Sequence, residues 1–279
     1  MREFQINKLG VAKNVDVEKA TEDLGDPQKI VLLTAEGPLA AIVANYLASK
    51  YPDLVVIREP AETKSQIIKR RLRLLGPVRT IGQVAGSLAA RIVGKLSDSR
   101  ISEICGTHGL DRSVASSISV FPVGSVNSED TRGMLVALQP SVVLVYGTRI
   151  IGRRTLHSIP APFINYHAGI NPKYRGQHPA YWALVSNDLE HAGITVHVID
   201  EGVDTGAVLY QANVRFTKTD NITTYPYVQL GVALPFLVQA IDDVLAGRMR
   251  PRAVDLPNRL WFPPTIWQYL WNGIFKRVW

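Results

Sequence analysis

Side chains that could do chemistry are concentrated between residues 141 and 211 of this 279-residue chain. In the run FINYHAGI, Asn165 and His167 are two residues apart, so on a strand both side chains leave the same face. The segment 200–206 (DEGVDTG) predicts a glycine-flanked turn that can bring Asp204 towards that pair. An amide, an imidazole and a carboxylate together suit the stabilisation of an oxyanion and the transfer of a proton.

The elements that must position these residues are short apolar runs alternating with helical segments, which predicts an α/β domain with a mostly parallel, doubly wound, Rossmann-like sheet. In such sheets, ligands bind beyond the carboxyl ends of the strands, where Asn165 and His167 fall. Strands are predicted at Lys29–Thr34, Leu54–Ile57, Ser117–Phe121, Val142–Tyr146, Phe163–His167 and Thr195–Ile199, and helices at Pro38–Lys50, Ser102–Gly109, Ser128–Leu138, Ala180–Ser186 and Ile222–Ala246.

Three separated motifs occur in a specific order: Asn-x-His at 165–167, Gly-x-Thr-x-His at 193–197, and DEGVDTG at 200–206. In this order the sequence resembles the folate-dependent formyltransferases, which include glycinamide ribonucleotide, methionyl-tRNA and amino-sugar enzymes. The resemblance is clear over about residues 120–215 and faint at 29–50. It implies the formyltransferase fold, with a lead-in at 1–27, a catalytic domain at 28–217 that holds a helical insert at about 62–100, and a helical C-terminal extension at 218–279.

The resemblance also implies roles for individual residues. The catalytic set of the family falls on Asn165, His167 and Asp204, and the donor implied is 10-formyltetrahydrofolate, with no metal. His197, Arg175 and His178 are expected beside the catalytic set or on the acceptor side. Binding of the folate is expected at Tyr146, Gly147, Thr148, Arg149, Ile150 and Ile151 in one loop, and at Asp200, Glu201, Gly202 and Val203 in another.

Departures from the family bear on the acceptor. Where a glycine-rich loop would hold the phosphate of a ribonucleotide, this chain has Thr34-Ala35-Glu36-Gly37-Pro38; Pro38 lacks an N–H and Glu36 repels phosphate. Only 62 residues follow Thr217, and a helical pattern there does not suit the C-terminal barrel of methionyl-tRNA formyltransferases. The expected acceptor is therefore a small, phosphorylated amine, and the best candidate is a nucleotide-linked amino sugar. The alternatives are a phosphoribosylglycinamide formyltransferase-type enzyme, a formyltetrahydrofolate hydrolase and a non-catalytic folate-binding protein.

Positive charge is concentrated in one segment. Nine basic side chains and one acidic side chain lie between Lys64 and Arg100, although the whole chain carries a formal net charge of +7. Apolar residues at helical spacing predict an amphipathic helix there, packed on the core: Ile81, Val84, Ala85, Leu88, Ala89, Ile92, Val93 and Leu96. A surface for anionic lipid or a phosphorylated substrate is the alternative. Nucleic acid is not expected, because no aromatic residue is interleaved with these charges.

The C-terminal segment Trp261–Trp279 holds four of the five tryptophans. Trp267, Trp271, Ile274, Phe275 and Val278 share one helical face beside two basic residues. Docking of this helix on the main domain, a peripheral membrane contact and a homodimer contact are all consistent with that pattern.

Composition limits the remaining classes of protein. A single cysteine, Cys105, excludes an intramolecular disulfide and a cysteine-based zinc site. No stretch is expected to supply the ~20 apolar residues that cross a bilayer, and the first ten residues lack a secretory pattern, so a cytoplasmic protein, soluble or membrane-peripheral, is expected. A place in one-carbon metabolism is what the resemblance implies. A metal hydrolase built on His167, His178, His197 and Asp204 is disfavoured, because no compact ligand spacing occurs.

Overall fold

The computed structural model describes residues 29–279. The segment 1–27, expected as a lead-in, lies outside the described residues. Eight helices and nine strands are formed within the described part. The strands are β1 (Ile30–Ala35), β2 (Val55–Glu59), β3 (Val120–Pro122), β4 (Val142–Tyr146), β5 (Phe163–His167), β6 (Arg175–Gly176), β7 (Gly193–Val198), β8 (Val208–Asn213) and β9 (Leu260–Trp261).

The helices alternate with these strands along the first half of the chain and dominate its last third. They are α1 (Pro38–Ala48), α2 (Lys64–Leu96), α3 (Asp98–His108), α4 (Glu129–Leu138), α5 (Arg153–Leu156), α6 (Pro179–Val185), α7 (Tyr225–Leu245) and α8 (Ile266–Lys276). Helix α2 is interrupted at Gly76, whose φ of 76° is not helical, immediately before Pro77.

Seven strands form one sheet in the order β3-β2-β1-β4-β5-β7-β8. The pairs from β3 to β5 are parallel, whereas β7 runs antiparallel to both β5 and β8. The chain winds outward from β1 in both directions, which confirms the prediction of a mostly parallel, doubly wound α/β sheet. The carboxyl ends of β4 and β5 therefore lie side by side next to the switch in winding direction, where such sheets bind ligands.

Both faces of the sheet are covered. In β1, Ile30 and Leu32 pack with residues of α1, α3 and α7, while Val31 and Leu33 pack with residues of α4 on the opposite face. This arrangement explains why the central strands β1 and β4 are apolar along most of their length.

Helix α7 corrects one expectation from the sequence. It has 21 residues and a mean hydropathy of 1.5, so by length and composition it could cross a membrane, contrary to the expectation that no such stretch exists. In the structure one side of α7 is buried in the core against β7, with Leu230, Leu234, Leu237 and Ile241 at most 1% exposed.

The apolar stripe of α2 does not pack on the core as expected. Ile81, Leu88, Ile92 and Leu96 face solvent, and the buried residues are Thr80, Gly82 and Gln83 on another side of the helix. The reason is local. The Gln83 amide donates a hydrogen bond to the Pro263 carbonyl (2.9 Å), and a Cβ added at Gly82 would lie 2.3 Å from the Trp267 ring. Because α2 contacts the C-terminal segment on the side of Gly82 and Gln83, its apolar stripe is left exposed to solvent.

The C-terminal segment is not only helical. Its strand β9 pairs in parallel with β6, so residues 260–261 support the loop that contains Arg175 and Gly176. Gly176 has φ of 90°, and a Cβ there would lie 2.3 Å from the Trp261 carbonyl oxygen. Only glycine fits this junction, which lies directly against the candidate site.

Candidate active site

Asn165, His167 and Asp204 meet at the carboxyl end of β5. The His167 Nδ1 atom is 3.4 Å from Asp204 Oδ2, and the Asn165 amide nitrogen is 3.5 Å from Asp204 Oδ1. The two strand residues share one face of β5, as their spacing predicts. Asp204 reaches them from the turn after β7, where it adopts a φ of 52°. In the same turn, a Cβ added at Gly206 would lie 1.7 Å from the Val198 carbonyl oxygen. The turn therefore requires the glycine.

The backbone partner of His167 fixes its tautomer. Its Nε2 atom lies 2.7 Å from the Tyr174 carbonyl oxygen, which can only accept, so Nε2 carries the hydrogen. Nδ1 therefore carries the lone pair of the neutral ring. It faces Asp204 and is the nitrogen that can gain a proton. Burial lowers the pKa of His167, and the Asp204 carboxylate opposes that shift in part. The imidazole is therefore neutral near pH 7, with a basic nitrogen beside a carboxylate.

His197, on the neighbouring strand β7, orients Asn165. The register places the two residues opposite each other, and the Asn165 amide donates to His197 Nε2 at 3.1 Å. The ring can accept at Nε2 because its Nδ1–H donates to the Val198 carbonyl at 2.9 Å. This pair directs the amide N–H groups of Asn165 towards His197 and Asp204.

Asp204 is held in its charged form. Burial alone would raise its pKa, but His167, His197 and the Gly176 N–H, which donates to Oδ2 at 3.1 Å, bring the pKa well below its usual range. A carboxylate with so low a pKa is a poor proton acceptor but an effective counter-charge for a protonated imidazole.

A cavity of about 410 Å³ opens beside these residues, within the size range of small-molecule sites. Two loops form its other walls. One follows β4 and contributes Gly147, Thr148, Arg149, Ile150 and Ile151, and the other follows β7 and contributes Asp200, Gly202, Val203 and Asp204. Both loops were singled out by the resemblance.

Four residues expected at the site lie outside the cavity wall. Tyr146 stacks on Tyr166 with ring centroids 5.6 Å apart, and Glu201 pairs with Arg153 at 3.1 Å. Arg175 donates to the Val203 carbonyl at 2.7 Å, so it supports the second loop. His178 is exposed at the start of α6.

Within the part of the chain that the structure describes, no group of three or more His, Cys, Asp or Glu side chains is arranged to hold a metal ion.

Glu59 was missed by sequence reasoning. It ends β2 and is 1% exposed; its carboxylate accepts from the backbone N–H groups of Arg149 (2.7 Å) and Val126 (3.0 Å) and pairs with the Arg149 guanidinium at 3.2 Å. It thereby anchors the first loop of the cavity. A carboxylate two residues after the predicted strand Leu54–Ile57 was the available signal.

Comparison with known proteins shows similarity to formyltransferases. Residues 113–230 match the family model described as Formyl transferase. Among curated relatives, the methionyl-tRNA formyltransferase of Pelotomaculum thermopropionicum is 35% identical over 152 residues, 54% of this chain and 48% of that protein. That of Thermodesulfovibrio yellowstonii is 33% identical over 120 residues, 42% of this chain and 38% of that protein. The chain thus spans half or less of the length of these relatives.

Solved structures share the fold at low sequence identity. A sugar N-formyltransferase from Shewanella superposes with a TM-score of 0.52 at 14% identity, covering 84% of this chain and 76% of that one. The glycinamide ribonucleotide transformylase 1 of Symbiobacterium toebii gives 0.52 at 19% identity, covering 82% and 94%. An N-formyltransferase from Helicobacter canadensis, solved with folinic acid and dTDP-3-aminofucose, gives 0.52 at 12% identity, covering 83% and 70%. Residues 113–230 are therefore similar to the formyl transferase family, and the described part of the chain shares the α/β fold of solved formyltransferases.

Proposed function

We propose that this protein is an N-formyltransferase that moves a formyl group from 10-formyltetrahydrofolate to a primary amine. The observation that carries the proposal is the convergence of Asn165, His167 and Asp204 at the edge of a cavity large enough for a small molecule. The formyl transferase match over residues 113–230 supports the same reaction class.

The folate is assigned to the cavity between the two loops. The lining includes residues 147–151 together with the apolar residues Val145 and Ile199 and the polar residues of the second loop, a mixture that suits a flat heterocycle with a polar edge. Glu59 fixes the first loop through its hydrogen bonds to the Arg149 and Val126 N–H groups. The formyl group would then extend towards Asn165 and His167.

Asn165 is proposed to stabilise the oxyanion. When the amine attacks the formyl carbon, negative charge develops on the formyl oxygen, and the Asn165 N–H can exchange its long hydrogen bond to Asp204 (3.5 Å) for one to this oxygen. A well-placed donor of this kind contributes about 3–4 kcal/mol to the stabilisation of the transition state. His197 keeps the amide in the orientation that makes this possible.

His167 is proposed to receive the proton that the attacking amine loses. Its Nδ1 is free to accept because Nε2–H is committed to the Tyr174 carbonyl. The imidazolium that forms lies 3.4 Å from Asp204, whose negative charge stabilises it. The same proton can then pass to the folate nitrogen as the carbon–nitrogen bond breaks. The proton lost by the amine is thus the one gained by the folate nitrogen, and no covalent bond to the protein is formed.

A nucleotide-linked amino sugar is the proposed acceptor. The helix α1 begins at Pro38, which has no N–H to offer a phosphate, and Glu36 beside it is 3.9 Å from Arg58. This start of α1 disfavours a ribonucleotide phosphate there. Binding of dTDP-3-aminofucose by the Helicobacter canadensis protein is consistent with an amino-sugar nucleotide on this fold.

The experiment that tests the proposal is incubation of the protein with 10-formyltetrahydrofolate and a panel of amines, followed by mass spectrometry. We expect the mass of one formyl group to be added to an amino-sugar nucleotide and not to glycinamide ribonucleotide. Release of formate at the same rate with and without an amine would identify a formyltetrahydrofolate hydrolase instead. Binding of the folate with neither product would identify a non-catalytic folate-binding protein.

A further inference from the structure

Helix α2 presents an unusual apolar stripe to solvent. Val78, Ile81, Leu88, Ile92 and Leu96 are 55–81% exposed. Their spacing of three, four and seven residues places them on one face of the helix after the break at Gly76. Isolated exposed apolar residues are common on protein surfaces. Five of them on one face of a helix form an apolar patch, which is typical of an interaction site.

Helix α8 presents a second apolar face. Trp267, Leu270, Trp271, Ile274 and Phe275 are 46–65% exposed, and the rings of Trp271 and Phe275 lie 4.1 Å apart. The helix is attached by its opposite side, where Tyr269, Asn272 and Gly273 are buried and the Asn272 amide donates to the Tyr181 hydroxyl at 2.9 Å. Its docking therefore leaves most of the aromatic face unused.

The two apolar faces belong to helices that pack against each other. Helix α2 packs on α8, and the Trp267 indole lies against Gly82, one residue from Ile81. The buried hydrogen bond from Gln83 to the Pro263 carbonyl holds the segment before α8 on the same stretch of α2. We call the ten exposed apolar residues of both helices the α2–α8 surface.

Exposed basic residues lie on the same helix as the apolar stripe of α2. Arg73, Arg79, Arg91 and Lys95 are exposed on α2. Within residues 29–279, no carboxylate forms an ion pair with any of these four, whereas Arg70 and Arg100 do have acidic partners. Lys95 lies seven residues after Leu88, on the edge of the apolar stripe. Its long side chain can keep the ammonium group in the polar layer while the stripe is buried.

We propose that the α2–α8 surface docks on an anionic lipid bilayer. Amphipathic helices with Leu, Phe and Trp on one face and unpaired Lys and Arg beside it lie in the headgroup layer of such membranes, and tryptophan is enriched at that depth. A second copy of this chain fits less well. A two-fold contact would set one positively charged segment 64–100, in which Asp98 is the single acidic residue, against another, and like charges repel.

Co-sedimentation of the full chain with vesicles tests this proposal. We expect binding to vesicles of equal parts phosphatidylcholine and phosphatidylglycerol, weak binding to phosphatidylcholine alone, and loss of binding as ionic strength rises. The double variant Trp271→Ser/Phe275→Ser should bind at least about tenfold more weakly, because two interfacial aromatic rings are removed. Arg91→Gln/Lys95→Gln should weaken binding to the anionic vesicles only.

Leu189→Ser is the matched control, because Leu189 is an exposed apolar residue (62%) outside both helices and should change nothing. No binding to the anionic vesicles, or binding that all these variants leave unchanged, would overturn the proposal. A lipid-independent dimer abolished by Trp271→Ser/Phe275→Ser would assign the surface to a second copy and would also overturn it. Formyl transfer to a soluble acceptor should be the same in every variant, so this test is independent of the proposed reaction.

Discussion

At the scale of single residues, the reactivity of the site depends on which nitrogen atoms carry hydrogen. Two backbone carbonyls, those of Tyr174 and Val198, each accept from one imidazole nitrogen and so determine the state of the other. His197 becomes an acceptor that orients Asn165, and His167 keeps a basic nitrogen facing Asp204. The division between a positioning histidine and a proton-accepting histidine follows from these two contacts.

Removal of the Asn165 amide should affect the rate far more than donor binding. We expect Asn165→Ala to lower kcat about 100- to 1000-fold, the usual cost of losing one oxyanion donor, while the Kd for the folate changes little. Steady-state kinetics and folate titration measure the two quantities. Asn213→Ala, at the end of β8, is a control that removes an exposed amide outside the cavity wall. A parallel loss of rate and affinity in Asn165→Ala would contradict the proposed role.

The charge of Asp204 should set the pH dependence of the rate. Activity requires neutral His167, so the rate falls as pH drops through the pKa of the imidazole, which burial has lowered. The Asp204 carboxylate favours the protonated ring. Its removal in Asp204→Asn should therefore lower that pKa further, move the acid limb of the kcat profile to lower pH and reduce kcat about 100- to 10,000-fold. An unchanged acid limb would show that Asp204 does not act through His167.

At the scale of elements, the shape of the cavity depends on how its two loops are held in place. Glu59 is the anchor of the loop after β4. We expect Glu59→Gln to raise the KM for the folate several-fold with a smaller effect on kcat. The reason is that the substitution replaces a carboxylate, which accepts from two backbone N–H groups, by a neutral amide with a single acceptor oxygen. Glu129→Gln, an exposed carboxylate on α4, should change neither constant. A fall in kcat alone would place the role of Glu59 in the chemical step instead.

The sequence predicts most of the central elements and much of the site, for identifiable reasons. Continuous apolar runs predict β1 and β4, and the two-residue spacing of Asn165 and His167 predicts that these residues share a face of β5. The stripe on α2 was misjudged, because periodicity shows which residues share a face but not which face meets the protein. That choice depends on the close approach at Gly82, and the β6–β9 pair depends equally on Gly176.

At the scale of the whole molecule, an ion pair links the basic helical region to the C-terminal third. Arg100 of α3 donates two hydrogen bonds to Asp220, at 2.9 and 3.3 Å, and the Asp220 side chain is 1% exposed. Burial alone would raise the pKa of Asp220, but Arg100 and the Thr217 groups bring it below the usual value. The pair therefore stabilises the fold above about pH 4, the pKa of an unfolded aspartate, and this contribution is lost as pH falls through the lowered pKa.

Breaking this pair should be costly. We expect Arg100→Leu to lower the free energy of unfolding by about 3–5 kcal/mol at pH 7, because a buried carboxylate is left without its partner. Urea denaturation measures the change. Arg112→Leu breaks an exposed pair with Asp98 and should cost no more than about 1 kcal/mol. Equal effects of the two substitutions would show that the link to Asp220 does not hold the C-terminal third in place.

The most direct measurement is a single-turnover reaction in which the formyl carbon of 10-formyltetrahydrofolate is isotopically labelled and the folate is bound before an amino-sugar nucleotide is added. The account predicts that the label appears on the amine nitrogen with wild-type protein, and that His167→Ala binds the folate equally well but transfers the label at least about 100-fold more slowly. Label found only in formate, or passed to the amine equally fast by His167→Ala, would contradict it.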